Sequence, residues 1–278
     1  MKNFNQLMKP TPAKRDPLKL KSGMLPVLND SRTLNAADYL KKRNILPVPR
    51  DHNWGTRIRD NGWGWLGNKR ANDCTCVAAG YFIMTWTSNT GRLFRPKARE
   101  IVDAYCAVSN YNPGTGANDT GVECLKVLKH WRKIGIAGHQ IIAFARLKNK
   151  NHLELKKTIY LFGGCYSGIN LPRTAQGHYR NGKKWTVTKG RKNGDAEPGS
   201  WMGHAVLIIG YQDKELRFVS WGQEMVMSLD FWIKYSVESY AVFSEEFITN
   251  QRTPTGVDID ILKADIQLIQ KKAGMNPA

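Results

Sequence analysis

Asn72-Asp73-Cys74-Thr75-Cys76-Val77-Ala78-Ala79-Gly80-Tyr81-Phe82-Ile83-Met84-Thr85-Trp86 is the stretch that decides the fold. Asn72 or Asp73 can cap a helix, because a short side-chain oxygen accepts from the unpaired N–H groups of the first turn. From Val77 to Trp86 nearly every position is apolar. A helix without a polar face is buried on all sides. Cys74 falls in the first turn, where the positive end of the helix dipole favours a thiolate. With an imidazole nearby, such a setting brings a cysteine pKa from about 8.5 down to roughly 3.5–7.5. Cys74 is therefore a candidate nucleophile with an expected low pKa.

Working outward, the 278 residues can hold one large domain or two small ones. With 41% hydrophobic and 10% aromatic residues the chain can bury a sizeable core, which excludes disorder throughout. Five cysteines, an odd number, rule out a complete disulfide framework and leave a free thiol. No apolar run like that of a signal peptide lies between Met1 and Asp30. No stretch reaches the ~18 uncharged apolar residues of a membrane span. A cytoplasmic or virion-associated protein is expected rather than a secreted one.

The net charge of +19 is unevenly placed. Residues 1–50 carry 11 Lys/Arg against 3 Asp, and the run from Arg173 to Lys192 adds seven basic residues and no acidic one. Such charge draws a chain towards polyanions: nucleic acid, teichoic acid or acidic membrane. It serves a solvated, soluble surface equally well, and the basic residues follow no nucleic-acid-binding motif.

Residues 1–45 read as an extended basic arm, broken by Pro10, Pro12, Pro17 and Pro26, with one short helix over 34–43. An assembly partner for this arm is expected. A Gly/Trp-rich packed loop, Gly62-Trp63-Gly64-Trp65-Leu66-Gly67-Asn68, leads into the central helix. Helical spacing recurs over 96–109 and 122–131. Beyond Gly138 the segments 141–145, 165–169, 185–187, 205–211, 216–221 and 240–243 are strand-like, with a short helix over 153–160 among them. The polar run 173–198 is expected to be an exposed loop or protruding hairpin. A linker over 249–255 precedes a last helix with Ile259, Leu262, Ile266 and Ile269 on one stripe. A helical part over about 46–137, then a sheet-rich part over about 138–248, makes the fold class α+β. The arm 1–45 and the segment 249–278 flank it.

The second informative stretch is Gly199-Ser200-Trp201-Met202-Gly203-His204-Ala205-Val206-Leu207-Ile208-Ile209-Gly210-Tyr211. Gly203 to Tyr211 closely resembles the strand that bears the histidine of papain-like cysteine peptidases. The order also matches: cysteine helix, histidine strand, then Ser220-Trp221-Gly222, similar to the family's Asn-Ser-Trp-Gly. The resemblance runs from about Trp54 to Phe247 and implies a two-lobed fold, a helical lobe followed by a small antiparallel β-sheet or barrel, with the site between them. The family carries a side-chain amide six residues before its cysteine as an oxyanion donor. Counting back from Cys74 gives Asn68, and from Cys76 gives Arg70, which cannot play that part. The resemblance thus implies Cys74 as nucleophile, His204 as general base and acid, and Asn68 with the Cys74 N–H as oxyanion donors.

Two departures accompany it. The family's Gly-Ser-Cys-Trp is Asn-Asp-Cys-Thr here, and the orienting asparagine aligns with Val219, which has no polar atom. Ser220 and Gln223 are then the candidates to orient the ring, although strand alternation aims Ser220 away if Val219 faces it. Cys106, Cys124 and Cys165 read as buried packing residues; His52, His130, His139, His152 and His178 carry no supporting motif. No zinc-site spacing accompanies Cys74 and Cys76, so neither metal nor cofactor is expected. The expected function is a thiol hydrolase cleaving a peptide or peptidoglycan-like amide bond through a Cys74–His204 dyad. The alternative is a catalytically impaired papain-like domain with a structural or binding role, as in a phage virion.

Overall fold

The central helix forms as its composition demands, and the remaining elements wrap it. A computed structural model describes residues 16–42, 48–59 and 62–272. In chain order the elements are β1 (Leu34–Asn35), α1 (Ala36–Lys42), β2 (Asp51–Asn53), α2 (Cys74–Thr90), α3 (Ala98–Ser109), α4 (Cys124–Lys133), β3 (Ala143–Arg146) and α5 (His152–Phe162). There follow β4 (Cys165–Leu171), α6 (Thr174–Arg180), β5 (Met202–Gln212), β6 (Glu215–Ser220), β7 (Gln223–Ser228), α7 (Leu229–Tyr235), β8 (Ser236–Phe243) and α8 (Ile259–Lys272).

Every residue of α2 from Cys74 to Ser88 is buried. Its polar side chains satisfy themselves inside the helix: Thr85 donates to the Tyr81 carbonyl at 2.9 Å and Thr87 to that of Ile83 at 2.8 Å. Buried hydroxyls would otherwise carry a desolvation cost. Around α2 stand α3, α4 and the sheet. Trp86 stacks on Trp131 of α4 with ring centroids 5.4 Å apart, and its indole N–H donates to the Phe162 carbonyl at 2.8 Å. That contact needs Gly163, the left-handed residue (φ +82°) that ends α5, because a Cβ there would stand 2.8 Å from the Trp86 ring.

The strands form one sheet in the order β1-β3-β8-β4-β5-β6-β7. Neighbours are antiparallel except β1 and β3. The long β5 pairs with β4 over Met202–Ile208 and then with β2 over Gly210–Gln212. The α+β class and the order of helical and sheet-rich parts are those read from the sequence. Two short strands, β1 from the arm and β2 from the helical part, nevertheless join the sheet.

Several elements differ from expectation. Leu34 and Asn35 pair in parallel with Ala145 and Arg146 instead of opening a helix, and the Asn35 Oδ1 accepts from the Ala37 N–H at the start of α1. Arg43, Pro10 and Pro12 lie outside the described residues. The run 173–198 is no free loop: it holds α6, and Tyr179, Trp185 and Ala196 are buried, with the Tyr235 hydroxyl donating to the Ala196 carbonyl at 2.8 Å. Apolar anchors spaced among basic residues fold this segment onto the body. Trp185 makes a single bridge to Met227 rather than a strand. β7 and α7 are elements for which no expectation was raised. In α8 Ile266 is buried; the side chains of Ile259, Leu262 and Ile269 lie outside the description. Among the described residues no helix is long and apolar enough to cross a membrane.

One hydroxyl ties the Gly/Trp loop, α2 and the β6–β7 turn together. Tyr81 donates to the Gly64 carbonyl at 2.8 Å and accepts from the Gly222 N–H at 2.8 Å. Tyr81→Phe leaves both backbone groups unpaired, at a cost of about 1–3 kcal/mol. The expected outcome is a lower urea midpoint with an unchanged slope.

Candidate active site

Cys74 is the first residue of α2, and α2 packs against β5, so the thiol meets the start of the histidine strand. The Cys74 Sγ accepts from the Ala205 N–H at 3.4 Å, one residue from His204. Cys76 is also fully buried, within the body of α2.

His204 is 1% exposed. Its ring stacks on Trp221, centroids 4.3 Å apart and planes 19° from parallel, and its Nε2 lies 2.5 Å from the Ser220 Oγ. Its Nδ1 makes no hydrogen bond. Ser220 faces the ring for a reason of register. Leu207 stands opposite Val219 in the β5–β6 pair. Opposite residues of an antiparallel pair share a face, so Val206 and Ser220 share the other one. Alternation puts His204 on the face of Val206. Val219 therefore points away and Ser220 points at the ring, the reverse of what aligning Val219 with the family's asparagine suggested. Trp221 and Gly222, both at positive φ (+46° and +72°), close β6 onto β7 in a two-residue turn. That turn sets Trp221 over the ring and places Gln223 opposite Ser220, with the Gln223 Oε1 buried and unbonded.

Asn68 lies beside the start of α2, but its amide is committed elsewhere. Its Nδ2 donates to the Ala71 carbonyl and to the Asp73 Oδ1, each at 3.1 Å. Asp73 holds the N-cap position without a side-chain capping bond, its carboxyl being turned to Asn68. Burial pushes that carboxyl up to about 8.

What the sequence did not disclose is that the arm crosses the site. The Ser22 carbonyl accepts from the Cys74 N–H at 3.4 Å, and the Ser22 hydroxyl donates to the Gly203 carbonyl. The Ser22 N–H donates to the Asn72 Oδ1 at 3.2 Å. Val122 donates to the Gly23 carbonyl at 2.7 Å and accepts from Leu25 at 3.2 Å, while Met24 donates to Gly203 at 3.4 Å. The Trp221 indole donates to the Lys21 carbonyl at 2.8 Å, and Lys21 reaches Asp119 at 3.4 Å. Gly23 (φ +113°) is required by close approach, since a Cβ there would lie 1.8 Å from the Asn72 carbonyl oxygen. The one legible signal was a glycine between Ser22 and Met24 in an otherwise proline-broken arm.

Under this strap both Cys74 and His204 are buried. Burial pushes the Cys74 thiol up to about 12, against the expected low pKa, and pushes His204 down to about 3. Desolvation outweighs the helix dipole, because removing water penalises the thiolate and the imidazolium alike. In this state Cys74 is a neutral thiol and His204 a neutral imidazole. Among the described residues no group of three or more His, Cys, Asp or Glu is placed to hold a metal ion.

No model of a known protein family matches the sequence, and no curated protein matches it. Solved structures do. Xylellain, a cysteine protease from Xylella fastidiosa, superposes with a TM-score of 0.57 at 15% identity, covering 84% of this chain and 99% of that one. Procathepsin L2 from the larval midgut of Tenebrio molitor gives 0.55 at 10% identity, covering 82% and 79%. Procathepsin B S9 from Trypanosoma congolense gives 0.54 at 10%, covering 81% and 87%. At such identities the likeness is one of architecture, and the chain has the papain-like fold.

Proposed function

We propose that the protein is a latent thiol hydrolase of peptide bonds, with Cys74 as nucleophile and His204 as its base and acid. The observation that carries this reading is the Ser22 carbonyl on the Cys74 N–H. A peptide carbonyl already rests on the backbone donor that an oxyanion would use, beside the sulfur that would attack it. With the strap withdrawn, water and substrate dipoles re-enter and the desolvation that silences the pair is relieved. His204 Nδ1 then takes the Cys74 proton as the sulfur adds to the amide carbonyl carbon. The resulting oxyanion is held by the Cys74 N–H. Collapse breaks the C–N bond, and His204 returns its proton to the leaving amine. Water, deprotonated by His204, then hydrolyses the thioester and restores the thiol. No cofactor enters.

Ser220 takes the orienting place. Accepting from Nε2–H, it fixes the tautomer that leaves Nδ1 free for the thiol proton. We assign Asn68 to holding the Asp73 carboxyl behind the helix start, with the oxyanion left to the Cys74 N–H. The basic arm and the face between Arg173 and Lys192 would add contact with a polyanionic setting of the substrate.

Gly23→Ala tests latency, because the added Cβ cannot coexist with the Asn72 carbonyl. In that variant Cys74 should react with iodoacetamide at pH 6 at least tenfold faster than in the parent. Adding His204→Ala should abolish the gain, while Cys76, Cys106, Cys124 and Cys165 stay slow throughout. A folded Gly23→Ala protein, by circular dichroism, whose Cys74 stays inert would leave a papain-like scaffold used for binding. Ser220→Ala in the same background should lower kcat/KM by about 10–100-fold, of order 1.4–2.8 kcal/mol in the barrier. It should also change the acidic limb of the pH–rate profile, a change that loss of stability alone does not produce.

A further inference from the structure

The run 249–255, a linker by its sequence, folds tightly against the far end of α2. Thr249 and Arg252 exchange backbone hydrogen bonds, at 2.8 and 3.1 Å, around Asn250 and Gln251. Those two residues sit at φ +51° and +63°. A glutamine in the left-handed region is uncommon, so the turn is held in place by its surroundings. The Thr249 hydroxyl supplies one hold, donating to the Thr90 carbonyl at 3.0 Å. Thr253 supplies another, its N–H donating to the Val257 carbonyl at 2.8 Å.

Between this turn, the end of α2 and the short 3-10 helix Trp54–Arg57 lies a cavity of about 390 Å³. Its wall includes Arg57, Arg252, Asn89, Thr90, Thr249 and Thr253, and no acidic side chain. Both arginines are exposed, and neither forms an ion pair among the described residues. The C-terminal end of α2 sets roughly half a negative charge against their two positive ones. Most of that charge is left unmet.

The neutral groups of the wall have already spent protons. The Asn89 Nδ2 donates to the Trp54 and Thr85 carbonyls at 2.9 and 2.8 Å. The Thr90 hydroxyl donates to the Glu246 carbonyl at 2.8 Å. Asn89, Thr90 and Thr249 therefore offer oxygens as acceptors, while the arginines offer charged donors. No aromatic ring lines the cavity, so a flat base would find nothing to stack on.

We propose that this cavity binds the phosphate monoester of a small polyhydroxy compound, with Arg57 and Arg252 on the phosphate and Asn89, Thr90 and Thr249 on the hydroxyls. Guanidinium forks match phosphate oxygens in pairs. The volume lies at the lower end of small-molecule sites. Cys74 begins the helix that ends here, about 24 Å away at 1.5 Å per residue. The site is thus separate from the candidate active site and does not depend on the hydrolase reading.

Calorimetric titration of the full chain with glucose 6-phosphate tests the assignment. It is run at roughly physiological salt, which screens diffuse attraction to a chain of net charge +19. Arg57→Gln and Arg252→Gln should each raise Kd about tenfold or more, and together they should abolish binding. Arg191→Gln and Lys192→Gln remove equally exposed charges outside the cavity and should change Kd less than about twofold. The ligand should also raise the thermal midpoint of the parent and leave that of the double arginine variant unmoved. Equal losses in all four single variants would reveal diffuse attraction to basic charge and overturn the site. Absence of both heat and midpoint shift in the parent overturns it as well. AMP binding as tightly as glucose 6-phosphate would overturn the polyhydroxy class of ligand.

Discussion

A helix with no polar face has to be covered on every side, and the covering of α2 places everything else. Its flank lies on β5, so the residue that begins the helix meets the residues that begin the strand. Cys74 reaches the Ala205 N–H, one residue along from His204, in this way, without a hydrogen bond between thiol and ring. The remaining faces are closed by α3, α4 and a set of aromatic contacts centred on Trp86 and Trp131. Side chains held by close packing hop little, which is the condition for a preorganised site.

The same burial governs the charge of Cys74 and His204. Desolvation acts against charge of either sign, so being covered by protein holds both Cys74 and His204 neutral. The strap fills it mainly through backbone: Ser22, Gly23, Met24 and Leu25 bond to Cys74, Gly203 and Val122 as an added strand would. Side-chain identity matters at few strap positions: Ser22 by its hydroxyl on the Gly203 carbonyl, Gly23 by close approach and Met24 by its packing against Gly168 and Gly203. The Lys21–Asp119 pair is partly exposed, and pairs of that kind contribute little. Strap and body are thus matched in shape more than in charge.

The β5–β6 register is the second constraint. Because side chains alternate with a period of two, one residue of slip exchanges Ser220 for Val219 at the ring. A β-bulge between Ile208 and Gly210 takes up an extra residue further along β5. The turn at Trp221 and Gly222 fixes the pairing at the other end, and both residues there carry the positive φ that such turns require. The stacking of Trp221 on His204 follows from that turn.

The sequence by itself determined the central helix and the order of helical and sheet-rich parts, and it marked Cys74 and His204 as the candidate residues. These depend on local composition and on motifs contiguous in the chain, which a reader of residues can see. Only the tertiary structure decided which of Val219 and Ser220 faces the ring, because register is a relation between strands. Only it committed the Asn68 amide to Asp73, a contact that depends on how the loop closes. It also decided that α6 and Trp185 fold onto the body, and that Ser22 to Leu25 lie across the site. Above all it decided the charge states of Cys74 and His204. A helix dipole can be read from residue positions, but desolvation depends on what covers a group, and here the cover comes from residues far away in sequence.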